Sequence, residues 1–115
     1  MITLFGIKNC DTCRNAKKWL AENKIDFIYI DLREEDLTVD LISEWEKSIG
    51  LDALVNRRGT TWRQLPEELR DNFPTLNTKR IIQENPTLLK RPIIDKNGKI
   101  SVGFSKEIQG KLLSK

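Results

Sequence analysis

Two cysteines, Cys10 and Cys13, lie two residues apart where a strand-like run gives way to a helical one, and this stretch constrains the chain more than any other. Ahead of them, Ile2-Thr3-Leu4-Phe5 is a short apolar run that suits a buried strand; behind them, Cys13, Ala16 and Leu20 recur at helical spacing. The sulfurs are therefore expected at a helix N-terminus, where unpaired N–H groups and the positive end of the helix dipole favour thiolate over thiol. Lys8 and Arg14 add positive charge, and Asp11 opposes them. Cys10, at or just before the cap, is the candidate nucleophile. Cys13, one turn on, can attack a mixed disulfide at Cys10 and close a dithiol-to-disulfide cycle.

Other chemistries lack their residues. A zinc site needs about four ligands, and the chain has no histidine and only these two cysteines, so no metal is expected. Without an imidazole there is no Ser-His-Asp or Cys-His hydrolytic arrangement, and Cys10 must be activated by field and hydrogen bonds. No glycine-rich phosphate loop occurs. The bland alternative is a pair of inert, partly buried thiols, but CxxC beside a βαβ pattern is the redox arrangement.

With 115 residues and 38% hydrophobic content the chain is expected to be one domain. Its net charge of +3 is mild and its charged residues are mixed in sign, which disfavours direct nucleic-acid binding. No stretch approaches the ~20 apolar residues of a membrane span, and Met1 leads straight into a strand with no leader pattern. A cytoplasmic monomer without membrane contact is expected, its CxxC resting as a dithiol in a reducing compartment.

Along the chain, a first helix is expected from about Thr12 to Asn23, followed by a second buried strand over Asp26-Phe27-Ile28-Tyr29-Ile30, parallel to the first. Such a βαβ unit leaves Cys10 at the C-terminal edge of the first strand, where open α/β sheets place their sites. Leu37, Leu41, Ile42, Trp45 and Ile49 form a helical stripe with Thr38 or Asp36 as cap and Gly50 as stop, and Trp45 is expected in the core. From Leu51 to Phe73 the pattern is less regular, and Pro66 opens a short helical turn. A helix over about Asn77 to Glu84 should carry Ile81 and Ile82 inward and end near Pro86. Pro92 to Asp95 and Ile100 to Phe104 read as a hairpin turning at Asn97-Gly98, with Ser105 capping a last helix through Ile108 and Leu112. The order βαβ, helical insertion at about 37–88, then ββα predicts an α/β thioredoxin-like fold with a mixed four-stranded sheet.

Three segments carry a family resemblance: Thr3 to Thr12, Asn56-Arg57-Arg58-Gly59-Thr60-Thr61-Trp62-Arg63, and Leu89-Lys90-Arg91-Pro92-Ile93-Ile94 with Gly103-Phe104. With these the chain resembles the ArsC-like branch of the thioredoxin-like fold, which includes glutathione-dependent arsenate reductases, the Spx transcriptional regulators and the YffB-type proteins. Its Gly-Thr-Thr-Trp-Arg segment is most similar to the YffB-type branch. The resemblance implies that Cys10 is the attacking cysteine and that Arg91 is one of three arginines binding an oxyanion in the arsenate reductases. Arg57 or Arg58 lies near a second, although the register places Asn56 where an arginine is expected, and Gly103 fills the third position. Two missing guanidinium groups weaken arsenate as substrate.

The resemblance also implies a cis Arg91–Pro92 bond opposite Cys10, where an extended thiol such as glutathione can pair with the backbone. Lys8, Asn9, Thr12, Arg57, Arg58, Arg91 and Pro92 are thus the expected substrate contacts beside catalytic Cys10 and Cys13. Trp62 is a candidate wall of the cleft. The expected activity is a glutathione-dependent thiol-disulfide oxidoreductase or reductase with no bound cofactor and glutathione as co-substrate. The alternative is an Spx-like regulator in which a Cys10–Cys13 disulfide changes a surface that binds the RNA polymerase α subunit, with Gly50 near a polymerase-contacting position.

Overall fold

In chain order the elements are β1 (Ile2–Gly6), α1 (Asp11–Glu22), β2 (Phe27–Asp31), α2 (Val39–Ile49), α3 (Leu51–Leu54), α4 (Thr60–Gln64), α5 (Glu67–Asp71), α6 (Thr78–Glu84), a 3₁₀ turn (Pro86–Leu88), β3 (Ile93–Lys96), β4 (Lys99–Val102) and α7 (Lys106–Leu113). The structure, a computed structural model, describes residues 1–34, 37–73 and 78–114. It falls into two compact units, Met1–Asp36 with Arg91–Lys115, and Leu37–Lys90.

The first unit holds the sheet, ordered β2-β1-β3-β4. β1 runs parallel to β2, with Ile2 opposite Phe27 and Gly6 opposite Asp31. β3 is antiparallel to both β1 and β4. This is the α/β thioredoxin-like fold with a mixed four-stranded sheet that the sequence predicts. Period-two alternation sends Ile2 and Leu4 to the face that receives Ala16 and Leu20 of α1, Leu112 of α7 and Ile94 of β3. Trp19 packs edge-on against Phe104 at 5.4 Å, tying α1 to the segment before α7. Asn97, with φ 53, and Gly98 make the tight turn between β3 and β4. Gly103, with φ 83, then bends the chain away after Val102, so β4 stops short of the expected Phe104. Ser105 caps α7 by accepting from the Ile108 N–H.

The second unit is helical. The Thr38 hydroxyl caps α2 by accepting from the Leu41 N–H, and Gly50 ends that helix; the other candidate cap, Asp36, lies outside the described residues. Trp45 is buried, as the helical stripe predicts. The irregular stretch from Leu51 to Phe73 resolves into α3, α4 and α5, each too short to show a helical period, with Pro66 at the N-cap of α5. In α6 the inward residues are Thr78 and Ile82, whereas Ile81 is only half-buried. A helix start at Asn77 falls outside the described residues. Trp62 is half-buried with its ring edge-on to buried Phe73 at 5.1 Å, and the Thr61 and Thr87 hydroxyls meet at 2.6 Å.

Candidate active site

The cysteine motif sits where β1 hands over to α1, at the C-terminal edge of the sheet. After Gly6 the chain must turn sharply, and Asn9 takes a left-handed φ of 68, a conformation asparagine tolerates better than most residues. Buried Asp31, the last residue of β2, fixes this turn. Its carboxylate accepts from the Lys8 backbone N–H at 3.0 Å and from the Arg33 N–H at 2.8 Å, while the Leu32 N–H donates to the Gly6 carbonyl at 2.8 Å. Asp31 is a positioning residue that sequence reading passes over, since an acid ending an apolar strand looks like a simple boundary.

Cys10 is the N-cap of α1 with extended backbone, and its carbonyl accepts from the Arg14 N–H at 3.0 Å. Its sulfur is half-buried and completes no capping hydrogen bond to the helix. Burial alone would raise the Cys10 thiol, but the Cys13 backbone N–H dipole, the Cys13 thiol and the Arg91 guanidinium together hold it below its ordinary value of 9.0. Arg91 acts both as a donor to the sulfur and as a charge. Arg14 instead forms an ion pair with Asp11, which spends most of its field locally. The effective cation at Cys10 is therefore Arg91.

Cys13 has the opposite setting. It is buried beneath the loop, and burial first, then the sulfur and charge of Cys10, push its thiol up to about 11 against the Ile7 backbone N–H and Arg91, which favour the thiolate. Gly6 makes room for it: a Cβ there would lie 2.6 Å from the Cys13 sulfur. A half-buried thiol held below its ordinary value thus stands beside a buried thiol pushed above it, a pairing suited to thiol–disulfide exchange.

The Arg91–Pro92 peptide bond is cis, as the resemblance implies, and the Pro92 carbonyl accepts from the Gly103 N–H at 2.8 Å. Lys8, Asn9 and Thr12 are exposed around Cys10. Arg57 and Arg58 belong to the second unit. There Arg57 pairs with Asp52 at 3.2 Å and lies 5.3 Å over the Trp62 ring, and the Asn56 side chain accepts from the Arg58 N–H. Among the described residues no three His, Cys, Asp or Glu side chains gather to hold a metal ion, and no helix is long and apolar enough to cross a membrane.

Residues 5–111 match the model of the ArsC family. An uncharacterised protein of Haemophilus influenzae is 43% identical over 107 residues, spanning 93% of this chain and 94% of its own. The global transcriptional regulator Spx of Staphylococcus aureus is 37% identical over 109 residues, spanning 93% of this chain and 82% of its own. Among solved structures, one described as a YffB protein superposes with a TM-score of 0.91 over 99% of this chain and 100% of its own, at 28% identity.

Proposed function

We propose a function from one premise: the chain belongs to the ArsC family. Within that family we read it as a thiol-dependent reductase. The Cys10 thiolate attacks a disulfide or an oxidised small substrate, and a second thiol, from glutathione or Cys13, resolves the adduct. The observation that carries this reading is the Arg91 guanidinium held against a sulfur at the N-cap of α1. That arrangement maintains a nucleophile without a general base, and the guanidinium also suits an anionic thiol such as glutathione. We take the protein to work as a cytoplasmic monomer with no bound cofactor and no direct nucleic-acid contact.

Arsenate is the weaker candidate substrate, although the family includes arsenate reductases. Gly103, with φ 83, occupies a position where the resemblance calls for a third oxyanion-binding arginine, and that backbone conformation disfavours any side chain. A disulfide needs no such cradle.

An NMR titration of the reduced protein with glutathione tests the reading. Amide shifts confined to residues 7–14 and 91–93 support it, and no shifts at millimolar ligand argue against it.

The 37% identity to Spx favours a second reading, a redox-switched regulator of transcription. Capture of the RNA polymerase α subunit by the oxidised or reduced protein would support that reading; binding in neither state would remove it.

A further inference from the structure

Tyr29 stands in β2 directly beside Leu4 of β1, and its ring packs on the core beneath α1. Gly6, two residues beyond Leu4 in β1, faces the same side, because alternate strand residues share a face. A Cβ on Gly6 would lie 2.6 Å from the Cys13 sulfur and 3.3 Å from the Cε2 edge of the Tyr29 ring. Sulfur and ring edge therefore flank one small space, within reach of the ~5 Å sulfur–aromatic contact. Lys17, one turn beyond Cys13 on α1, holds the ring from its face, with its ammonium 4.1 Å from the centroid.

These contacts make a seat for one sulfur. A helical side chain has two χ1 wells open to it, since the third drives it into the preceding turn. Gly6 leaves the room for one of them, and the Tyr29 edge closes the far side of that room. Cys13 is 1% exposed, so the sulfur within its reach is that of Cys10 and not that of a thiol in solution. Attack on a disulfide depends on holding the sulfur in line with the bond that breaks, and a thiol that wanders between wells spends less time there. Cys10, at the N-cap of α1, is not among the nearest atoms at Gly6.

We propose that Tyr29 is a positioning residue for Cys13: its ring edge, with the gap at Gly6, seats the sulfur so that Cys13, ahead of a second glutathione, resolves the mixed disulfide on Cys10. This deepens the reductase reading and rests on it. With glutathione disulfide as the oxidised partner, the Cys10 thiolate attacks one sulfur, a Cys10–glutathione bond forms, and the first glutathione leaves as thiolate. Cys13 then gives up its proton to water and attacks the Cys10 sulfur. The Cys10–Cys13 bond forms, the Cys10–glutathione bond breaks, and its electron pair leaves on the second glutathione. Two protein thiols are oxidised and one glutathione disulfide is reduced. The competing route, attack by free glutathione on the adduct, returns Cys10 to the thiol and does not use the seat.

The test mixes reduced protein with excess glutathione disulfide, quenches in acid, and follows by mass the glutathione adduct and the Cys10–Cys13 disulfide. Tyr29→Ile keeps a β-branched apolar residue in β2 and removes the ring edge; Tyr29→Phe keeps the edge and removes only the hydroxyl. The expected result is adduct resolution slower in Tyr29→Ile by about three- to tenfold, the scale of one sulfur–aromatic contact, and unchanged in Tyr29→Phe. Formation of the adduct at Cys10 should proceed at the same rate in all three proteins, which a general loosening of the fold would not allow. Lys17→Met, which frees the ring from its face without touching the core, should slow resolution in the same direction by less, and it decides the matter if Tyr29→Ile does not fold. Resolution at the wild-type rate in Tyr29→Ile, or in Lys17→Met where that variant decides, would overturn the Tyr29 role, as would equal slowing in Tyr29→Phe and Tyr29→Ile. A wild-type adduct that never passes to the Cys10–Cys13 disulfide would overturn the Tyr29 role and leave the Cys10 chemistry intact. A wild-type protein that forms no adduct would overturn the reductase reading itself.

Discussion

A methyl group on Gly6 would come within 2.6 Å of the Cys13 sulfur and 3.2 Å of the Cys13 Cβ. The strand and the helix that carry the redox pair meet at that contact, and only a hydrogen fits there. Gly6→Ala should cost about 1–3 kcal/mol, as overpacking in a well-filled site does. Gly110→Ala provides the contrast: Gly110 lies exposed in α7 with nothing within 4 Å of its Cβ direction, and the change should stabilise by about 0.5–1 kcal/mol. Denaturant unfolding of the two variants checks both signs.

Arg91 is one of the groups that hold the Cys10 thiol below its ordinary value, after the backbone and thiol of Cys13. The alkylation rate of Cys10 should rise with pH along a curve whose midpoint lies below the ordinary thiol value of 9.0. Arg91→Ala removes both the donor and the charge, moving the midpoint up and slowing labelling at neutral pH by on the order of tenfold. Arg91→Lys should fall between, since it restores the charge without the fork of donors. Iodoacetamide labelling against pH reads all three proteins.

Stability should fall in alkaline solution. Cys13 is pushed up to about 11 in the fold from an ordinary value of 9.0. Above pH 9 the unfolded chain releases this proton while the folded chain retains it, so the folded state binds more protons and loses stability as pH rises toward 11. Tyr29, pushed up to about 12 from 10.0, adds in the same direction at higher pH. Cys10, held below 9.0, contributes in the opposite sense, favouring the fold above 9.0 and losing that contribution as pH falls through its depressed value. Cys13→Ala should flatten the decline between pH 9 and 11, measured as the midpoint of urea unfolding.

Asp31 holds the cysteine loop through the Lys8 and Arg33 backbone N–H groups. Asp31→Ala orphans both donors and should cost about 1–3 kcal/mol, with slower Cys10 labelling because the loop loosens. Asp31→Asn should cost less in stability, since its single carbonyl oxygen can still accept one of the two bonds. Thermal unfolding and labelling rates measured on the same samples separate the two effects.

Sequence pattern made the framework legible because each part of it is local. The apolar runs at Ile2 and Phe27, the helical stripe through Ala16 and Leu20, the Thr38 cap and the Asn97-Gly98 turn each declare themselves within a few residues. Long-range placement was carried by the resemblance, as with Arg91 beside Cys10, because no periodicity links residues so far apart in the chain. What stayed hidden depends on a neighbour in space. Gly6 reads as an ordinary strand-ending glycine until the Cys13 sulfur is placed against it, and Tyr29 reads as one more apolar strand residue until its hydroxyl is found buried with no partner among the described residues. Of the two residues expected inward on α6, Ile82 is buried and Ile81 only half-buried, because the pitch of the helix turns Thr78 and Ile82 to the interior. The helices between Leu51 and Asp71 span four or five residues each, less than the pattern needs to show itself.

The central claim is that Cys10 carries the reaction and Cys13 assists it. Turnover in a glutathione-coupled disulfide reduction assay, measured for wild type, Cys10→Ser and Cys13→Ser, tests that claim most directly. The account predicts no turnover above background for Cys10→Ser and slowed or rerouted turnover for Cys13→Ser. Equal activity of wild type and Cys10→Ser would contradict it.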